Sequence, residues 1–373
     1  MRISRIGSAL CTTLLLLSST QKCSFALTGA YLPTYKVSRL PRIRPPGFDS
    51  GPDYYRINNS GEFQVSFFNS QTSQRLLARM DLSGNISAFT PLLSPTAQYE
   101  LTGLNNFGDM VGIAGDPSGI SGCNPYICGY MKSGANYTLL GLPAGNSDVA
   151  PREINDSQQV VGYADTVTGF KHAFLWTSTS GLTDLGSLGG HSYAYDINEP
   201  GSVVGVSEKV LGPGRYAIVV RQGIMNELAG IKGLNTVAHA INDLEIIAGV
   251  TEFSSAAGLR SAAVAWENDH PKALPNIHSG AAQSVAYYMN NKNEIFGYNW
   301  QTGQEYVAVL WKRTAAGVYK VSALQTLLRL ADQSQYEVNE VLGTNDLGEV
   351  LASCRSLISS SAGSYFYCLL SPQ

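Results

Sequence analysis

The sequence predicts an all-β protein: a seven-bladed β-propeller of four-stranded antiparallel blades, its ring closed by an N-terminal strand added to the last blade. Three observations predict it. A turn signal built on Asn recurs seven times. Each turn is followed by short apolar segments separated by Gly, Ser, Thr, Asp and Asn. The last copy is one segment short, and a matching segment stands near the N-terminus.

The chain begins with Arg2 and Arg5, then the apolar run SALCTTLLLLSS, then Ser24-Phe25-Ala26. Basic residues, a short apolar stretch and small residues at a cut after Ala26 are the pattern of a secretory signal peptide. Cys23 could serve as a lipid anchor, but Lys22 stands where a small residue is needed. Residues 1–26 are therefore expected to be removed, with residues 27–373 forming a single propeller domain. The expected location is secreted or periplasmic. No later stretch reaches the ~20 apolar residues of a spanning helix.

Cleavage would leave 22 of the 25 basic residues against 28 acids, moving the formal charge from −3 to −6. No Lys/Arg run survives, which argues against binding to nucleic acid or an anionic membrane. Hydrophobic content of 44% with 14% charged residues and 38 Gly belongs to a folded, turn-rich chain.

Next comes Tyr35–Leu40, YKVSRL, nearly identical to Tyr319–Leu324, YKVSAL. The latter reads as the fourth strand of a repeat, so the former is expected to supply the strand that the last repeat lacks. Closing the ring this way hides two strand edges.

The turn signals follow at Asn58, Asn105, Asn155, Asn198, Asn242, Asn290 and Asn345. Their spacing suits one four-stranded blade per copy. After each Asn comes Asn, Asp or Glu, and Gly61, Gly108, Gly201 and Gly348 stand at the fourth position; such residues tolerate the positive φ of a tight hairpin. A calcium loop is the competing interpretation, but one acid per turn is too little charge for a dedicated cage.

Each turn leads into a second strand (VVGYA, VVGVS, IIAGVT, IFGYN), then a third (HAFLW, YAIVV, AAVAW, YVAVLW). Trp176, Trp266 and Trp311 end three of the third strands. A Trp recurring at one register is expected to pack blade against blade rather than to present a sugar platform. LTDLGSL, YTLLGLP and YKVSAL read as fourth strands.

The third copy, with HAFLW at His172–Trp176, TDLGSLGG at Thr183–Gly190 and IN followed by VVG, resembles the HAF repeat, named for its His-Ala-Phe core. DINEPGSVVG in copy four also fits. Copies five and six fit moderately, and copies one, two and seven mainly through the Asn turn. The resemblance implies an exported bacterial β-repeat protein and brings no catalytic residue set.

Cys123, Cys128, Cys354 and Cys368 remain after cleavage, an even number in an exported chain, so disulfides are expected. Cys354 falls on the second strand of the seventh copy and Cys368 on its third, where an antiparallel pair can bridge. Cys123 and Cys128 flank NPYI and are expected to link their own loop. A 123–368 pairing stays open at the level of sequence. The clustered Cys/His spacing of a zinc site is missing.

No nucleophile elbow, metal-binding His-Glu helix or phosphate loop is present, so no metal, cofactor or established catalytic set is expected. The His residues are scattered: His172 opens a third strand, His191 and His278 fall near fourth-strand ends, and His270 reads as loop. Each reads as a surface or structural residue.

The informative row is the first strand of each blade, which lines the axial channel of a propeller. Three residues before each marker stand Tyr55, Thr102, Arg152, Tyr195, His239, Tyr287 and Leu342. Neighbouring positions add Asp53, Glu100, Glu153, Asp196, Tyr288 and Glu340. Loops from all blades converge at the start of these strands, a usual place for a ligand. The plainer alternative is that these side chains fill space between blades. Glu153 and Asp196, on adjacent blades, are weak candidates for paired carboxylates.

The functional expectation is a monomeric, non-catalytic exported scaffold that binds a protein or carbohydrate partner at the channel face, with Tyr55, Arg152, Tyr195, His239 and Tyr287 as contact residues. The alternatives are an extracellular hydrolase or lyase using Glu153 or Asp196, and a surface assembly component with no small ligand.

Overall fold

In the computed structural model, the described residues are 32–88, 98–115, 127–141, 148–210, 214–231, 235–255, 258–277, 282–301, 305–358 and 364–373. They form seven four-stranded antiparallel sheets. Six run in simple chain order. The seventh is completed by Tyr35–Arg39, which pairs with the last strand, Tyr365–Pro372. The closure expected from the duplicated YKVS text is present. The expected signal peptide and His278 lie outside the described residues.

The new strand would leave a free edge on the outside of blade seven. A segment with two short helices, Leu324–Leu327 and Leu330–Gln333, covers it. There Arg329 N–H donates to the Tyr35 carbonyl at 2.8 Å, and the Asp332 carboxylate accepts the Val37 N–H at 3.0 Å. This connection makes the interval between the sixth and seventh markers the longest in the chain.

Packing between blades follows from the third strands. Trp176, Trp266 and Trp311 are buried, and each packs on apolar residues of the preceding blade. Trp266 lies among Ala217, Val219 and Leu228 of blade four, and its indole N–H donates to the Ala229 carbonyl at 2.7 Å. Trp311 donates likewise to Pro275 at 2.6 Å. A large ring that satisfies its one donor across a blade boundary suits this position.

Two histidines differ from the sequence expectation. His191 lies within the first strand of blade four, Gly189–Ile197, because pairing of Gly189 with Lys209 carries that strand through the Gly pair. His270 opens the fourth strand of blade five rather than lying in a loop. The preceding Asn268 and Asp269 take φ of 50° and 65°, the two left-handed positions of a tight hairpin. His172 sits at the start of its third strand, as expected, and pairs with Asp184 at 2.9 Å.

Cys354 and Cys368 form a disulfide with Cα atoms 6.0 Å apart. They are diagonal rather than opposite: Cys354 faces Phe366 and Cys368 faces Ala352. Cys128 is also disulfide-bonded, and Cys123 lies outside the described residues.

Candidate functional site

The first strands of the seven blades are Ser50–Ile57, Gln98–Leu104, Val149–Ile154, Gly189–Ile197, Asn235–Ile241, Gln283–Met289 and Tyr336–Thr344. Each contains a register shift at the same place, and the first, fourth and seventh contain a second one. Pairing skips Tyr55, Thr102, Arg152, Tyr195, His239, Tyr287 and Leu342. The seven residues three before the marker Asn are thus all β-bulge residues. A bulge adds one residue to one strand and re-aims its side chain. Here it turns seven side chains into one axial space.

The second strand accommodates the bulge. In blades two to six it carries Gly112, Gly162, Gly205, Gly249 or Gly297, and a Cβ there would fall 2.0–2.1 Å from a first-strand carbonyl oxygen. Any side chain would collide with backbone. The Gly of the recurring VVG text is therefore the mate of the bulge.

The re-aimed residues form an open funnel of about 490 Å³, lined by all seven of them together with Tyr54, Arg56, Glu100, Leu101 and Tyr288. One wall is aromatic. His239 stacks on Tyr287 with centroids 4.8 Å apart and lies 6.2 Å from Tyr195. His239 donates from Nδ1 to the Ala286 carbonyl at 2.8 Å, and burial lowers its pKa. The ring is thus neutral near pH 7, with Nε2 as an acceptor. Tyr55 shares a 2.9 Å hydrogen bond with Ser66. Burial raises the pKa of both Tyr195 and Tyr287, so their hydroxyls stay protonated.

The floor is made by the next residue of the bulges. Arg56 pairs with Glu153 at 3.4 Å and lines both the funnel and a second axial cavity of about 360 Å³ at the turn end. Glu153 and Asp196 line that second cavity. Gly103 leaves room for Glu153, whose carboxylate oxygen lies 2.7 Å from where its Cβ would be. Asp196 accepts the N–H of Ile197 at 2.8 Å and of Ile241 at 2.7 Å. Burial, with the nearby Glu153 charge, nevertheless pushes its carboxyl up to about 8. Burial raises Glu153 as well, against the pull of Arg56. Two acids and one base in a recessed place thus retain a proton near neutrality.

The turn end is organised by the markers themselves. Asn58 donates from Nδ2 to the carbonyl of Asn105 at 3.1 Å, and Asn105 does the same to Asn155. The series continues through Asn198, Asn242, Asn290 and Asn345, and Asn345 returns to Asn58. A second ring runs beside it. The N–H of each following residue donates to the side-chain oxygen of its counterpart in the next blade, from Asn59 through Asn106, Asp156, Glu199, Asp243, Asn291 and Asp346 back to Asn59. The sequence shows only that a turn stands at each marker; within its own turn the marker's Oδ1 accepts N–H groups as well, as Asn345 does from Leu347 and Glu349. The signal for the rest was the chemistry: an amide at all seven markers, and an oxygen-bearing side chain at all seven next positions.

Among the expected neighbours, Glu100 and Tyr288 line the funnel, while Asp53 accepts the Tyr367 hydroxyl at 3.4 Å and Glu340 is exposed in the middle of the seventh first strand. Among the described residues no group of three or more His, Cys, Asp or Glu is arranged to hold a metal, and no helix is long and apolar enough to cross a membrane.

Fold and site define a closed seven-bladed propeller with an axial aromatic funnel. No family model matches the chain, and no curated protein matches it in sequence. Solved structures do match in fold. The β-propeller domain of the trilobed protease from Pyrococcus furiosus aligns over 91% of this chain and 94% of that one, with TM-score 0.51 and 8% identity. A prolyl endopeptidase aligns over 91% of this chain but only 50% of its own, with TM-score 0.52 and 12% identity. YCF48 bound to a D1 peptide covers 97% of that chain and 93% of this one, at TM-score 0.49 and 8% identity. At such identities the likeness is one of fold.

Proposed function

We propose that the protein is an exported, non-catalytic binding protein whose ligand occupies the axial funnel. The observation that carries this reading is the bulge common to all seven blades, which turns seven side chains of five chemical kinds into one open cavity. The residues just before them, from Tyr54 to Val341, are all buried, and of these Tyr54 and Leu101 also reach the cavity. Variation concentrated at the position that faces open space suits recognition rather than packing.

The carboxylate pair supports a structural role instead of catalysis. Glu153 is held by Arg56, and both oxygens of Asp196 accept backbone N–H groups. Export is supported by the signal-like text before Ala26 and by the disulfide in blade seven, which needs an oxidising compartment. Membership of the HAF-repeat group is proposed on the same footing, from the Asn turns and the VVG strands.

The test is an alanine set at Tyr55, Arg152, Tyr195, His239 and Tyr287 in the mature chain, screened on a glycan array and by pull-down. Binding should be lost while the melting curve stays nearly unchanged. Unchanged binding, or loss of folding, would assign these residues to the framework.

A further inference from the structure

We infer that the funnel ligand is an acidic polysaccharide, a linear chain of carboxylate-bearing sugars, with Arg152 and Arg215 receiving carboxylates and the Tyr195–His239–Tyr287 rings receiving sugar faces. The inference rests on the reading of the funnel as the ligand site.

Arg152 carries it furthest. Its guanidinium lies over the Tyr163 ring, 5.3 Å from the centroid, and Nη2 approaches the Tyr163 hydroxyl at 3.5 Å. These contacts fix the side chain without neutralising it. No carboxylate pairs with it among the described residues, and its Nε is buried without a hydrogen-bond partner. A desolvated guanidinium N–H left unmet is costly, and a planar carboxylate is the group that meets it best. Arg215, exposed at the start of the third strand of blade four, likewise has no ion-pair partner among the described residues. It is not among the residues lining the funnel but stands further out on blade four, and its charge reaches both Tyr195 and His239. Elsewhere on the molecule Arg221, Arg313 and Arg355 are tied to acids.

The aromatic wall continues outward, which suits a chain rather than a small molecule. From His239 and Tyr287 the contacts pass to Tyr298 at 6.0 Å, to Tyr306 at 6.4 Å and to Trp300 at 5.1 Å. Tyr306 is 65% exposed and Tyr287 42%. Tyrosines offer an apolar face to sugar C–H groups and a hydroxyl to sugar oxygens. A peptide fits less well. Each inner strand is interrupted by its bulge, so no continuous edge is offered for strand addition. Among the described residues the aliphatic side chains lining the funnel are Leu101 and Leu342 alone.

Glu100 gives the inference a sign. Among the described residues it is the one acid lining the funnel, exposed and with no ion pair. A polyanion must keep its carboxylates away from Glu100, and removing that charge should help it.

The experiment titrates the mature protein with polygalacturonate, alginate and hyaluronan, with methyl-esterified polygalacturonate as the neutral match, and with peptides bearing free C-terminal carboxylates. At least one polyuronate should bind in a salt-sensitive manner and the ester should not. Arg152→Gln and Arg215→Ala should each weaken binding about tenfold, the scale of one charge-assisted hydrogen bond, and Glu100→Gln should tighten it. Arg215 is exposed, so its variant also guards against a folding artefact at Arg152. Equal binding of the ester, or indifference to both arginine variants, overturns the inference. If Tyr195→Ala and Tyr287→Ala still abolish that binding, the funnel reading survives. Peptides binding where no polyuronate does, or Glu100→Gln weakening the binding, also overturns it. Failure of the whole panel counts against both.

Discussion

The side-chain amide of Asn345 donates to the backbone carbonyl of Asn58 at 3.0 Å across 287 residues of sequence. That bond joins the last blade to the first and closes a circle of seven identical bonds around the axis. The ring is therefore fastened twice, by the N-terminal strand at its outer wall and by the Asn circle at its centre. The two devices differ in kind: the first is a strand exchange, and the second is repeated once in each blade.

A single marker can be tested without disturbing its own turn. In Asn155→Asp the carboxylate still accepts the N–H of Gln159, and the Gln159 amide, now its partner at 2.8 Å, can turn to donate. Only the donation to the Asn198 carbonyl, 3.0 Å away, is lost. At neutral pH this should cost roughly 1–3 kcal/mol, the penalty of a buried acceptor left unmet. On acidification the protonated carboxyl can donate again, so Asn155→Asp should recover relative to the wild type, whereas Asn155→Ala should not. Denaturant melts at two pH values measure this, and equal stability of the Asp variant and wild type at neutral pH would remove the circle from the account of stability.

Gly162→Ala tests the bulge. Its Cβ would sit 2.1 Å from the Ala150 carbonyl oxygen and 2.7 Å from the Pro151 Cα, both backbone atoms that cannot turn aside. The variant should lose at least ~1–3 kcal/mol, the usual range for overpacking. It should also weaken funnel binding, because relief requires the strand bearing Arg152 to move. A shifted denaturation midpoint with an unchanged slope is the expected readout, and a midpoint equal to wild type would sink the argument.

The fold was legible because its period is long and its punctuation regular. Strand alternation, the Asn turns and the matching YKVS segments are all local patterns that survive in one sequence. The seven funnel residues were legible too, by counting back from each marker. What aims them was not. A bulge is a mismatch between two strands, and neither strand shows it alone; only Gly162 and its counterparts hinted at it. The Asn circle stayed hidden for a similar reason, since each amide meets a carbonyl in the next repeat. Arg56 and Glu153 lie in blades one and three and meet only across the axis, so no local pattern in the sequence pairs them.

The axial cluster makes a prediction about pH. Asp196 has a folded pKa near 8, above the usual carboxylate range. Its contribution to stability is therefore full below about pH 4 and lost as pH rises through 8. In Arg56→Met the guanidinium that offsets Glu153 and Asp196 is gone, and the loss over that window should steepen. At pH 7 the variant should be less stable by roughly 1–3 kcal/mol, less than for a fully buried pair because Arg56 lines two open cavities and is screened by water. Near pH 4 it should approach wild type. A gap between the two proteins that does not change with pH would mean that packing, not charge, holds Arg56 in place.

The outer fastening should fail in the opposite direction. Arg329 hydrogen-bonds the Asp332 carboxylate, which also accepts the Val37 N–H, and the two together hold its pKa below the usual range. A depressed acid contributes stability above its unfolded pKa and loses it as pH falls through the folded value. Acidification below about pH 4 should therefore loosen the N-terminal strand, seen as faster hydrogen exchange at Val37 than in the inner strands. Asp332→Ala should show the same loosening at neutral pH, at a cost of ~1–3 kcal/mol for the unmet Val37 N–H. Deleting Tyr35–Leu40 removes the whole strand and exposes the edge of Tyr365–Pro372, so it should abolish soluble, cooperatively unfolding protein. If that truncation melts like the untruncated protein, the Asn circle alone is enough to keep the ring shut.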